Sequence, residues 1–255
     1  MAVESAVIEL NEVGLCYPGK PPVQVLDGLS LSVQKGSFVS LIGPSGCGKS
    51  TLLRIVAGIL PATSGRVRVE EGTALDAQRA HRFGFVFQDA ALLPWRSVQE
   101  NVELLGELVG LEPRVRHEQA KALLALVGLK GKEDLRPSQL SGGMRQRVAI
   151  ARALAINPSS LLMDEPFSAV DEFQRESLNN ELLRIWNEQQ NSVLFVTHNI
   201  EEAVFLSDYV CVMGPHGGKI VEYLPVELER PRPEEVRVSP QFLALRRHLR
   251  EVLVR

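Results

Sequence analysis

The sequence predicts an α/β fold built on a parallel sheet with both faces covered. Two observations carry this. Short apolar runs of strand length, Phe38–Ile42, Leu161–Met163 and Ser192–Thr197, alternate with longer segments at helical spacing. Strands that alternate with helices pair in parallel. The run Gly43-Pro44-Ser45-Gly46-Cys47-Gly48-Lys49-Ser50 follows one such strand and precedes a helical pattern at Thr51–Ala57. A glycine-rich turn there lets the backbone approach a ligand closely.

The elements follow in order. Val7–Val13, Val23–Leu26 and Leu29–Val33 read as strands, with a turn at Gly19-Lys20-Pro21-Pro22 and a break at Lys35-Gly36. Thr63-Ser64-Gly65 turns into the alternating strand Arg66–Glu70, and Arg82–Gln88 is apolar and β-prone. From about Ser97 to Leu135 the pattern becomes helical, first through Val98, Val102, Leu105 and Leu108. It continues through Ala120, Leu123, Leu124 and Val127 and ends at Gly128. This block predicts a helical subdomain at about 97–150, inserted into the α/β core. Gln146–Ala155 reads as a helix closed by Asn157-Pro158. Beyond Pro225, Pro231 and Pro233, Ser239-Pro240 looks like a helix start. Phe242, Leu245, Leu249, Val252 and Leu253 then recur at helical spacing with arginines between them. This amphipathic helix of the tail, 226–255, reads as docked on its own domain, with a partner-binding helix as the alternative.

Composition narrows the function classes. The 255 residues suffice for one large domain and a small subdomain, and 45% of them are hydrophobic. A net charge of −3 supplies no basic field, so no nucleic-acid partner is expected. Cys16, Cys47 and Cys211 are widely spaced and odd in number, which fits neither a disulfide framework nor a zinc pattern. Met1–Ser5 carry no basic region, so no signal peptide is expected. No apolar run approaches the roughly 18 residues of a spanning helix, so a membrane role requires a partner.

The chemistry starts with the glycine-rich run. Its backbone N–H groups form an anion nest, and the helix beginning near Lys49 adds its positive end. Lys49 supplies a charge for the β/γ-phosphates, and the Ser50 hydroxyl suits Mg²⁺. The chain is therefore expected to bind a nucleoside triphosphate. Cys47 lies within this loop and reads in two ways, as a reactive thiolate or as an inert small residue. The strand Leu161–Met163 ends in Asp164 and Glu165. The first acid suits Mg²⁺, and the second is placed to orient or deprotonate a water. Leu140-Ser141-Gly142-Gly143-Met144-Arg145-Gln146-Arg147 opens another helix with exposed N–H groups, a second anion site. One triphosphate uses both sites only if they come from different subunits.

As a set, these motifs resemble those of ATP-binding cassette (ABC) ATPases, the nucleotide-binding subunits of transporters, over about residues 5–225. The resemblance implies a P-loop NTPase (RecA-like) core, an N-terminal antiparallel β subdomain and an inserted α-helical signature subdomain. ATP and Mg²⁺ are the implied cofactors. Gly43, Pro44, Ser45, Gly46, Cys47, Gly48, Lys49, Ser50 and Thr51 match the Walker A loop, and Leu161–Asp164 the Walker B strand. Glu165 matches the catalytic glutamate and His198 the switch histidine. Gln88 matches the glutamine that senses the metal and contacts the membrane partner. Ser168–Asp171 match the D-loop, and Tyr17 matches the aromatic residue that stacks on adenine. Ser50, Gln88 and Asp164 are the implied metal ligands. Two copies, or two homologous ATPase subunits, would pair head to tail, with Ser141, Gly142 and Gly143 of one completing the site of the other. Met144, Arg145 and Val170 depart mildly from the family pattern.

The run Leu92-Leu93-Pro94-Trp95-Arg96-Ser97-Val98 after Gln88 resembles the nitrate/sulfonate/taurine importer branch. That implies a transmembrane permease seated near Gln88, Leu92, Leu93 and Trp95, with packing inside the helical subdomain as the other reading for the three apolar residues. A solute-binding protein and a peripheral place on the cytoplasmic face of the inner membrane are implied as well. The chain ends soon after the tail helix, which disfavours the sugar-type cassettes with an added regulatory domain. An exporter or lipoprotein-release ATPase is the alternative, and a soluble cassette ATPase the less favoured one.

Overall fold

The computed structural model describes residues 6–215 and 217–254. Met1–Ser5, His216 and Arg255 lie outside the described residues, and the leader reading of Met1–Ser5 lies outside with them. The chain forms two compact units, Met1–Ala80 with Asn191–Arg255, and His81–Gln190.

The first unit holds an antiparallel sheet of β1 (Ala6–Tyr17), β2 (Val23–Gln34), β4 (Ser64–Val69) and β5 (Gly72–Thr73), in the order β2-β1-β4-β5. β2 is continuous where the sequence predicts two short strands. Val13 pairs with Leu29 and Leu15 with Leu26, so β2 carries one extra residue between them. Gly28, at φ 66°, absorbs it as a bulge.

β3 (Phe38–Ile42) runs parallel to β8 (Ser192–Val196) on one side and to β9 (Tyr209–Met213) on the other. β10 (Ile220–Pro225) closes this edge antiparallel to β9. Every residue of β3 and β8 is buried, as expected of strands covered on both faces. α1 (Lys49–Val56) packs on β8, and α7 (Ile200–Leu206) packs on β3. A short helix, α2 (Ala74–Arg79), packs on β4 and β5.

The second unit pairs β6 (Phe83–Val86) and β7 (Ser160–Asp164) in parallel. Around them stand α3 (Val98–Leu108), α4 (Pro113–Leu126), α5 (Gly142–Leu154) and α6 (Glu172–Gln189). Ser97 and Glu100 start α3 with a reciprocal capping box. A Cβ at Gly84 would lie 2.5 Å from the Ala153 carbonyl, so β6 and α5 pack at backbone distance. α5 begins four residues before the predicted Gln146 start, because Ser141 caps it and both glycines join its first turn. The sequence pattern assigned no element to α6.

The tail helix α8 (Pro240–Val254) packs on α7, and Ser239 Oγ accepts the Phe242 N–H at 3.2 Å. Phe242 and Leu249 are fully buried, so α8 is docked on its own unit. The ion pair Arg246–Glu201 and the hydrogen bond between His248 Nε2 and Glu222, both 2.6 Å, flank that face. Phe242→Ala is expected to lower unfolding free energy by about 3–5 kcal/mol, measured by urea denaturation. A loss below about 0.5 kcal/mol, the range of surface changes, would mean that α8 is not docked in solution.

Candidate functional site

The glycine-rich loop connects β3 to α1 without slack. Gly48 sits at φ 106° and Gly46 at φ 79°, both in the region glycine tolerates best. A Cβ on Gly43 would lie 2.6 Å from the Met213 carbonyl oxygen, and one on Gly48 would lie 2.7 Å from Leu26 Cδ2. The loop therefore wraps tightly with Ser45 and Gly46 at the surface. Lys49 is buried, and its Nζ donates to the carbonyls of Gly43 at 2.8 Å and Pro44 at 2.9 Å. The ammonium is thus folded back across the loop mouth. Ser50 and Thr51 are half-buried in the first turn of α1.

Thr197 and His198 follow β8 in the same unit. The Thr197 N–H donates to the Leu41 carbonyl at 3.1 Å, extending the β3–β8 ladder past the strand end. Thr197 is buried and His198 is exposed. Asn199 then caps α7, its Oδ1 accepting the N–H groups of Glu201 at 2.8 Å and Glu202 at 3.2 Å. Tyr17, the last residue of β1, is 42% exposed, an accessible ring rather than a core one.

In the second unit, β7 ends at Asp164, which is buried, and Glu165 follows at φ 45°. A glutamate in left-handed backbone is uncommon and costs energy, and such strain gathers at functional sites. The Glu165 carbonyl accepts from Ser168 N at 3.2 Å and Ser168 Oγ at 3.0 Å, which fixes the turn. Asp171 caps α6 by accepting the Gln174 N–H at 3.1 Å. Ser141 caps α5 by accepting the Met144 N–H at 3.3 Å. Ser141 and Gly142 are exposed and Gly143 is buried, and a Cβ at Gly142 would meet no atom within 4 Å.

The segment after β6 is irregular, yet three buried polar side chains hold it. Gln146 Nε2 donates to the carbonyls of Phe87 and Gln88, both at 3.2 Å, and to that of Pro166. Arg152 donates to Ala90 at 2.6 Å and Ala91 at 2.9 Å. Asn101 accepts the Leu93 N–H at 2.8 Å and donates to the carbonyls of Leu93, Arg96 and Ser97. The sequence placed Gln146 only within the second glycine run and singled out neither Arg152 nor Asn101. Their signal was a polar residue on the apolar stripe of a predicted helix. Gln88, Asp89, Ala90, Gly142, Arg145 and Gln146 line part of a cleft of about 420 Å³. Gln88 is exposed, Leu92 and Leu93 are half-buried, and Trp95 is 68% exposed.

The ABC transporter family pattern matches residues 26–168. The chain belongs to the ABC transporter family. It is 48% identical over 231 residues to an uncharacterized ABC transporter ATP-binding protein of Methanocaldococcus jannaschii, covering 91% of this chain and 85% of that one. It is 40% identical over 248 residues to the taurine import ATP-binding protein TauB of Escherichia coli K12, covering 95% of each. Among solved structures, an ATP-binding cassette captured as a dimer in a post-hydrolysis state with ADP and Pi superposes with a TM-score of 0.77 at 32% identity. That match covers 87% of this chain and 100% of the other. The cassette is thus a nucleotide-binding ATPase of the import type, and the α/β expectation holds.

The two readings of Cys47 separate on burial. Cys47 is 3% exposed, a buried member of the phosphate loop with Lys49 Nζ 3.9 Å from its sulfur. Cys211 is fully buried, and burial, then the nearby Cys47, pushes its thiol pKa up. Cys16 is half-buried. Iodoacetamide labelling of the folded protein, mapped by mass spectrometry, is expected to modify Cys16 at least about tenfold faster than Cys47 or Cys211. Faster labelling of Cys47 would restore the reactive reading.

Proposed function

We propose that this ATPase subunit energises uptake of taurine or a related small sulfonate through a separate transmembrane permease. The taurine import ATP-binding proteins among its relatives support import over the export alternative. Among the described residues no helix is long and apolar enough to cross a membrane. In this reading the subunit is peripheral to the cytoplasmic face of the inner membrane and works beside a solute-binding protein. The exposed Trp95, with Leu92 and Leu93, forms the apolar part of the permease contact next to Gln88.

Each candidate residue receives one role. The N–H groups of Gly46, Gly48, Lys49, Ser50 and Thr51 donate to phosphate oxygens, and Lys49 exchanges its loop carbonyls for the β/γ-phosphates. Tyr17 stacks on adenine. The donors assigned to Mg²⁺ are a hydroxyl at Ser50, a carboxylate at Asp164 and an amide at Gln88. All are hard oxygen ligands, and Mg²⁺ accepts few protein ligands beside phosphate and water, so the set fits. When bound, the ion supplies charge neutralisation for the transferred phosphoryl group. Glu165 takes a proton from, or orients, the attacking water, and His198 contacts the γ-phosphate region. Ser141, Gly142 and Gly143 of a second copy, or of a homologous subunit, cover the phosphates from the other side. The open space before Gly142 suits that approach.

The observation that carries this reading is Glu165. It is an acid directly after a buried strand, held at φ 45° by a fixed turn, in a chain with an intact phosphate loop. Glu165→Gln should lower turnover about 10²–10⁴-fold and leave an ATP-bound dimer that persists on gel filtration. In cells lacking the subunit, the wild-type chain should restore uptake of radiolabelled taurine and Glu165→Gln should not. Full turnover in the variant would remove the catalytic assignment. Undiminished taurine uptake without the subunit would remove the sulfonate assignment alone.

A further inference from the structure

Two arginines of the tail close the far end of the helix that follows His198. α7 has seven residues, and the carbonyls at a helix C-terminus have no partner within the helix. Arg232 Nη1 donates to the carbonyls of Val204 at 3.2 Å, Phe205 at 2.9 Å and Ser207 at 2.8 Å. Arg230 Nη2 donates to the remaining carbonyl, that of Leu206, at 2.7 Å. The last four carbonyls of α7 and its cap are therefore all taken by two side chains from a later segment. The rest of the Arg232 guanidinium faces the tail's own carbonyls at Val226 and Leu228.

Arg232 is 5% exposed, and burial pushes its pKa down to about 10, so it stays a cation at neutral pH. A buried cation is costly without a counter-charge. Here the counter-charges are the negative end of α7 and Asp208, which Arg230 Nε binds at 2.9 Å. Asp208 Oδ2 also accepts the Phe38 N–H at 2.8 Å, tying the exit of α7 to the start of β3. Arg237 covers the Phe205 ring, 3.8 Å from its centroid.

The near end of α7 is fixed as well. Asn199 caps it, the Asn199 N–H donates to Thr197 Oγ1 at 3.0 Å, and Thr197 Oγ1 donates to Glu202. His198 lies between Thr197 and that cap. A one-to-two-turn helix has little stability of its own, so its clamps decide where it stands. A shift of α7 is delivered to His198 through Asn199.

We propose that Arg232, aided by Arg230, is a positioning residue for ATP hydrolysis, holding the C-terminal end of α7 so that His198 stands where turnover needs it. This rests on the reading of His198 as the switch residue. The test measures steady-state ATPase and ATP affinity of the full chain in four forms: wild type, Arg232→Gln, His198→Ala and the double variant. Arg232→Gln is expected to lower kcat about tenfold, with ATP affinity within about twofold, and to add less than about twofold to the loss caused by His198→Ala. Full additivity of the two losses would overturn the proposal, as would a wild-type kcat in folded Arg232→Gln. A wild-type kcat in His198→Ala would instead remove the switch reading, and the proposal with it. Should Arg232→Gln fail to fold, Arg232→Lys decides. Lysine keeps the charge but loses the planar fork, so the expected result is a kcat about threefold lower at unchanged ATP affinity. A wild-type kcat there overturns the proposal.

Discussion

The parallel register of β3 against β8 is the constraint on which the first unit depends. Leu41 pairs with Val196, and the Thr197 N–H reaches the Leu41 carbonyl, so both strands end together. The phosphate loop and His198 consequently leave from one edge of the sheet. The carboxyl ends of parallel strands are where α/β folds bind ligands. β9 fixes the loop from the other side, because the Met213 carbonyl leaves no room for a side chain at Gly43. A slip of one residue in this register would separate the loop from His198 and turn each side chain to the opposite face.

A second theme is how irregular backbone is held. Side-chain donors take buried carbonyls in two irregular segments. Gln146, Arg152 and Asn101 collect the carbonyls between Phe87 and Ser97. Arg230 and Arg232 do the same at the end of α7. Buried backbone groups must find partners. A side chain with several donors satisfies many at once and fixes their relative positions. Both sets of donors therefore act on segments that carry candidate functional residues, Gln88 in one case and His198 in the other.

Much of the site was legible because its signals are local. The phosphate loop needs a buried strand, glycines and a helix start, and all lie within Phe38–Ala57. The same holds for the apolar run ending in Asp164 and Glu165. What was not legible depends on distant partners. Asp27-Gly28 looks like a strand break, yet the opposing β1 converts it into a bulge. The periodic pattern starts this helix at Gln146, yet the Ser141 cap draws Gly142 and Gly143 into α5. Arg230 and Arg232 sit among prolines and suggested only a broken tail, since their acceptors are main-chain carbonyls that leave no mark in the sequence. The left-handed backbone of Glu165 also had no sequence signal, because glutamate does not advertise that conformation.

In the proposed mechanism the cassette hydrolyses ATP in a site completed by Ser141, Gly142 and Gly143 of a second subunit. The most direct test is ATPase rate per mole of the purified chain across a wide range of protein concentration, with saturating ATP and Mg²⁺. A shared site predicts a specific rate that rises with concentration and then levels as dimers form. A specific rate that stays constant down to concentrations where sedimentation shows only monomer would contradict it.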